Sequence, residues 1–144
     1  SVALPQSIGT PVGTVLLDDF EHTDCIFSFG QNVGTNAPRL LHPLQQARKR
    51  DAEIIVFNPL RERGWEEFVN PQHVGEMLTN RGTEIATQYH QVRTGGDIAA
   101  MVGIARTLFA LDDAAKAAGR PRILDTDFIA RHTHGFDAFE AYVR

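Results

Sequence analysis

The run Glu53-Ile54-Ile55-Val56-Phe57 constrains this chain more than any other stretch. It is apolar and β-branched without polar alternation, as a strand buried on both faces in the middle of a parallel sheet must be. Asn58-Pro59 stops it, because proline cannot donate to a ladder. Cys25-Ile26-Phe27-Ser28-Phe29, ending at Gly30, has the same character. Between the two runs, Leu40, Leu41, Leu44 and Ala47 recur at helical spacing, Pro38 suits a first turn, and Arg48-Lys49-Arg50 place positive charge at the C-terminal end. Pro43 bends that helix or delays its start. Strand, helix, strand with short connections predicts a right-handed parallel crossover.

Further along, Asn70-Pro71 is a breaker, Val74 to Leu78 fits a single helical turn, and Glu84 to Val92 is a third strand ending at Arg93-Thr94-Gly95-Gly96. The strongest helical stripe follows: Ile98, Met101, Val102, Ala105, Leu108 and Phe109, with Asp97 as its N-cap. Lys116 to Arg122 reads as a polar connector. Two short helices close the chain, Asp127 to Arg131 capped by Asp125, and Phe136 to Val143 after Gly135. The expected fold is a Rossmann-like, three-layer α/β/α domain with a mainly parallel sheet, one domain over residues 1–144.

Charge and cysteine content narrow the chemistry. Fourteen Lys and Arg against eighteen Asp and Glu give a net charge of −4, the wrong sign for a nucleic-acid footprint. One cysteine leaves no internal disulfide and no all-cysteine zinc or iron–sulfur site. Cys25, inside an apolar run, is expected to be an inert core residue. No apolar run reaches the roughly 18–20 residues of a membrane helix. The segment Ser1 to Val15 carries neither the basic nor the apolar region of a signal peptide, and no initiator Met precedes it. A cytoplasmic segment interior to a longer protein is the expectation. His22, His42, His73, His90, His132 and His134 lack ligand spacing and are read as structural or surface residues; no catalytic or metal-binding constellation is visible.

In parallel α/β folds ligands bind outside the carboxyl ends of the strands. The first end is Gly30-Gln31-Asn32-Val33-Gly34-Thr35-Asn36, where glycines permit close backbone approach and Asn32, Thr35 and Asn36 offer polar groups. Its glycine spacing is neither the dinucleotide fingerprint nor a P-loop, so taken alone it slightly favours a plain βα turn with Asn36 as N-cap. The second end, Asn58-Pro59-Leu60-Arg61, puts a donor–acceptor amide where many such folds hold a ribose. It also suits a simple turn before Pro59. The third end carries Gly95, Gly96 and Asp97. A carboxylate there can accept paired hydrogen bonds from guanine N1–H and its exocyclic amine, a donor pair adenine lacks. Taken alone, each loop is explained by local structure. Their conjunction raises the ligand alternative.

At these loops the chain resembles the large (alpha) subunits of molybdopterin oxidoreductases, the superfamily of formate dehydrogenases, nitrate reductases and dimethyl sulfoxide reductases, nearest to the formate-dehydrogenase-like branch. The resemblance is carried by D-D-F-E-H-T-D-C-I-F-S-F-G-Q-N-V-G-T-N-A-P-R (Asp18 to Arg39), I-I-V-F-N-P-L-R-E-R-G (Ile54 to Gly64), V-R-T-G-G-D (Val92 to Asp97) and F-I-A-R-H-T-H-G-F-D (Phe128 to Asp137). It implies one interior domain of a much longer oxidoreductase, holding the guanosine and phosphates of a molybdopterin guanine dinucleotide. Gly30, Asn32, Gly34, Thr35 and Asn36 would then line the phosphates. Asn58 would meet ribose or guanine, with Pro59 and Arg61 at the same cofactor-binding end and Arg61 within reach of phosphates, and Gly95 and Asp97 would meet the guanine. Two positions depart from the family: Asn58 stands where many relatives carry Asp, and Val33 where proline is common. The molybdenum ligand, and iron–sulfur cysteines where present, would lie outside this chain, whose partners would be the remaining domains of the parent subunit. Alone, the chain would be inactive. Two alternatives stay open, a non-catalytic structural domain of the same superfamily and an unrelated nucleotide-binding module.

Overall fold

The computed structural model describes residues 2–72, 74–79 and 82–144. The chain is α/β and Rossmann-like, and it divides into two compact units, Ser1–Val92 and Arg93–Arg144.

The first unit opens with α1 (Ala3–Ile8) and a 3-10 turn (Leu17–Glu21) before β1 (Cys25–Phe29). A one-turn helix α2 (Val33–Asn36) and a 3-10 turn (Pro38–Leu40) lead into α3 (Leu41–Lys49), then β2 (Glu53–Phe57), α4 (Arg63–Glu66), α5 (Val74–Thr79) and β3 (Gln88–His90). Pro43 falls in the first turn of α3, where its missing N–H breaks no helical bond. The sheet is parallel with order β1-β2-β3, so β2 is central as its composition requires. Cys25 pairs with Glu53 through Phe29 with Phe57, and Ile55 with Gln88 through Phe57 with His90.

The third strand is shorter than the apolar run suggests. Thr87 still donates to the Ile54 carbonyl of β2 at 2.8 Å, but the residues before it pair elsewhere: Thr83 and Phe68 exchange antiparallel bonds at 2.9 Å, and the Ala86 N–H donates to the Trp65 carbonyl at 2.8 Å. At the other end the last ladder bond is Asn58 N–H to the His90 carbonyl, 3.1 Å. Pro59 has no N–H to continue it. Ile54 and Val56 send fully buried side chains to one face, against Leu41, Leu44, Val33, Trp65, Ile85 and Ala86. On the opposite face Phe29, Phe57 and His90 stack across all three strands at 4.9 and 5.0 Å, with Phe27 beside them and 45% exposed. Cys25 lies on that second face and is exposed, so the core position expected for it is corrected by strand alternation. Partial burial and the nearby Glu53 carboxylate push its pKa up, which keeps it a thiol.

The second unit consists of α6 (Asp97–Ala117), α7 (Thr126–His132) and α8 (Phe136–Val143). Asp97 is not the N-cap of α6. Gly95 adopts φ +82°, Gly96 takes the cap position, and Asp97 becomes the first helical residue without a capping bond. Helix α6 also runs through Lys116 and Ala117, so the polar connector starts later than expected. Asp125 caps α7, accepting from the Phe128 N–H at 2.8 Å.

The connector is organised by Asp112, 1% exposed, which accepts from Arg122 Nε at 2.8 Å, Ile123 N–H at 2.8 Å and Leu124 N–H at 3.1 Å. The Arg122 bonds, then the two backbone bonds, hold its carboxyl well below the usual carboxylate range. Arg144 does the same for Asp113. A depressed folded pKa means that the folded state binds fewer protons than the unfolded chain. The stabilisation is therefore complete above the unfolded value near ~4 and is lost as pH falls through the lower folded value. Protection of the 118–125 amides, taken as exchange relative to the intrinsic rate at each pH, should hold at pH 5 and fall below about pH 4, with the acid step shrinking in Asp112→Asn. Protection factors that do not change between pH 5 and 2 would remove Asp112 as the organiser.

Among the described residues no helix is long and apolar enough to cross a membrane.

Candidate functional site

Gly30 leaves β1 with φ +63°, and its N–H donates to the Phe57 carbonyl at 2.9 Å, so the first loop starts pinned to the end of β2. Asn32, not Asn36, acts as N-cap. Its Oδ1 accepts from the Thr35 N–H at 3.1 Å and starts α2 at Val33, ahead of the helix expected at Pro38. Asn36 is the last residue of α2, exposed like Thr35. Gly34 sits back to back with Gly64 of α4: a Cβ on Gly64 would lie 2.8 Å from the Gly34 backbone. The two strand-end loops are therefore in backbone contact.

The second loop is held from beneath by Tyr89 on β3. Its hydroxyl donates to the Leu60 carbonyl at 2.6 Å and accepts from the Glu62 N–H at 3.1 Å. Gln91 donates to the Pro59 carbonyl at 3.2 Å. The indole N–H of Trp65, 1% exposed, donates to the Gln31 carbonyl of the first loop at 2.6 Å. Glu62 reaches the same loop, accepting from Asn32 Nδ2 at 2.8 Å. Arg61 is engaged with its own neighbours, its Nε 2.8 Å from Glu66 and its guanidinium 5.4 Å from the centre of the Tyr89 ring.

Asn58 differs from every other polar group here. It is 6% exposed, at the carboxyl end of the central strand, and its side-chain amide has no hydrogen-bond partner among the described residues. No sealed side-chain nitrogen or oxygen among those residues lacks a partner, so the amide opens to solvent. A buried amide left without protein partners is costly unless something polar meets it.

The structure thus brings Gly30, Asn32, Gly34 and Thr35 together with Asn58, Pro59 and Arg61 at one end of the sheet. Gly95 and Asp97 belong to the second unit, where they form the entry to α6, seven residues beyond the end of β3. Gly96 is required by the turn itself, since a Cβ would meet the Arg93 carbonyl oxygen at 2.9 Å. Glu62, Gly64, Trp65 and Tyr89 were not legible as site-forming residues. The one signal was the run Arg61-Glu62-Arg63-Gly64 beside the chain's one tryptophan. Of the histidines, His42 lies 3.3 Å from the Asn70 amide, His90 stacks on Phe57 and His132 tilts against Phe128; His73 lies outside the described residues.

The chain is 53% identical over 137 residues to protein YdeP of Escherichia coli K12, which covers 95% of this chain and 18% of that protein. It is 39% identical over 137 residues to an uncharacterized oxidoreductase of Mycobacterium tuberculosis H37Rv, with 95% and 17% covered. A more distant relative is the F420-dependent formate dehydrogenase 1 subunit alpha of Methanococcus maripaludis, 25% identical over 139 residues, 94% of this chain and 16% of that subunit. No protein-family model matches the chain. The chain spans less than a fifth of the length of these relatives, two of which are named as an oxidoreductase and a formate dehydrogenase subunit.

Proposed function

We propose that this chain is the part of a molybdopterin-dependent, formate-dehydrogenase-like oxidoreductase that holds the guanosine and phosphates of a molybdopterin guanine dinucleotide. The observation that carries the proposal is Asn58, a largely buried residue at the carboxyl end of the central parallel strand whose amide opens to solvent and has no partner among the described residues. It sits where ligands of parallel α/β folds bind. The residues present fit such a group. Asn58 would meet ribose hydroxyls, which need a donor and an acceptor together. The Gly30–Asn36 loop would take the phosphates, and Asp97 the guanine edge. Arg61 would join the phosphates only by leaving Glu66. The oxidoreductase kinship and the named formate dehydrogenase subunit support the parent enzyme's class.

When bound, the pterin and its molybdenum supply two-electron chemistry. This chain's residues bind and orient the nucleotide end. The remaining domains of the parent subunit would supply the metal ligand and the rest of the cleft.

Amide shifts near Gly95 and Asp97 on titration with GDP, GMP and AMP test the proposal. GDP should bind and AMP should not. Asp97→Ala should weaken GDP by about tenfold or more, the usual worth of charge-assisted bonds. Equal response to AMP would point instead to an unrelated nucleotide module, and silence toward all three to a structural domain.

A further inference from the structure

Glu62 is out of place beside a phosphate loop. An ionised carboxylate repels phosphate, so it makes a poor ligand contact there. Its bonds give it a different task. The Tyr89 hydroxyl fixes the Glu62 backbone from β3 at 3.1 Å, the Glu62 carboxylate accepts from Asn32 Nδ2 at 2.8 Å, and Asn32 Oδ1 accepts from the Thr35 N–H at 3.1 Å. The chain of bonds runs from the third strand, across the second loop, to the first turn of α2. Both ends of the Asn32 amide are committed along it.

We propose that Glu62 and Asn32 form a latch that locks the two strand-end loops into one binding rim, with Tyr89 as its anchor. They are positioning residues rather than ligand contacts. The ligand half of this inference rests on the guanine-nucleotide assignment; the latch itself does not. The latch also explains why the carboxylate is tolerated: the charge-assisted bond to Asn32 meets it inside the protein. A ligand that orders either loop would find the other already in place, so less ordering is left to do on binding.

Hydrogen exchange and GDP affinity, measured on the intact protein that carries this chain, separate the roles. Glu62→Ala should speed exchange at Gln31 to Asn36 and weaken GDP, each about tenfold, the scale for a charged hydrogen bond. Glu62→Gln keeps an acceptor oxygen and should stay within about twofold of wild type. Asn32→Asp sets two carboxylates face to face and should fail like Glu62→Ala. The pair Asn32→Asp with Glu62→Gln reverses the direction of the bond, the new glutamine amide donating to the new aspartate, at unchanged net charge. It should recover both readouts, which a general loss of stability would not allow. The latch is overturned if the pair behaves no better than Asn32→Asp alone, or if Glu62→Ala leaves exchange in the first loop unchanged. If wild type binds no GDP, the nucleotide assignment falls, and the exchange arm still decides the latch.

Discussion

Trp65→Ala should cost the first unit about 3–5 kcal/mol, the range for truncating a fully buried aromatic. For a unit of this size that corresponds to a fall in melting temperature of roughly 15 °C or more. The indole is 1% exposed and packs within the cluster of Val33, Ile54, Val56, Ile85 and Ala86. Truncation would empty the space between α2, α4 and the sheet, and the surrounding backbone is tied down on several sides. The Trp65 N–H donates to the Glu62 carbonyl at 3.0 Å and its carbonyl accepts from Ala86 at 2.8 Å, so collapse around the cavity would break those bonds too. The indole N–H is also the direct tie to the first loop, through the Gln31 carbonyl. Trp65→Phe keeps most of the apolar contact and loses that donor, for about 1 kcal/mol plus faster exchange at Gln31 and Asn32. Denaturant midpoints and exchange rates of the two variants distinguish packing from tethering. A Trp65→Ala protein that melts within a few degrees of wild type would show that the core closes without the indole.

Trp65 also shows where local sequence stops being informative. Strands β1 and β2 coincide with the apolar runs at 25–29 and 53–57, but only β2 hides consecutive side chains, while β1 leaves Cys25, Phe27 and Phe29 exposed on one face. The long helix α6 was legible from its stripe. The start of that helix was not, because the cap depends on the left-handed turn at Gly95 rather than on the capping ability of Asp97. The third strand shrank for a similar reason: Phe68 and Trp65, about twenty residues away in sequence, compete for the backbone of 83–86. Cys25 looked like core because its neighbours are apolar, and alternation put it on the exposed face.

The site divides the same way. Sequence alone pointed to Gly30–Asn36 and Asn58–Arg61, since strand ends in a parallel fold are predictable from the strands. What joins those loops is contributed by Glu62, Gly64, Trp65 and Tyr89, each through a partner some thirty residues distant. No local pattern encodes such a pairing. Asn58 does follow the last residue of β2, and its burial without a partner among the described residues is what supports reading it as more than a turn starter.

Gly64→Ala should cost the first unit about 2–3 kcal/mol, the upper part of the range for overpacking. The added Cβ would sit 2.8 Å from both the Cα and the N of Gly34. Those are backbone atoms, with no rotamer to swing aside, so α2 and α4 must move apart. The reverse change is milder: a Cβ on Gly34 meets the Gly64 Cα at 3.3 Å, a gap closed by a shift of a few tenths of an ångström, and Gly34→Ala should cost about 1 kcal/mol. Gly30→Ala is the control for backbone conformation alone. Its φ is +63° with open space around the Cβ position, so the cost is the left-handed penalty of about 1 kcal/mol. Because Gly34 and Gly64 press on the same wall, the double alanine variant should cost less than the sum of the two single changes, one separation of the helices serving both. Thermal melts order the four variants. The same separation pulls the two loops apart, so Gly64→Ala should also loosen the first loop in hydrogen exchange, whereas Gly30→Ala should not disturb α2. Equal losses for Gly64→Ala and Gly30→Ala would mean that the back-to-back contact is not what joins the loops.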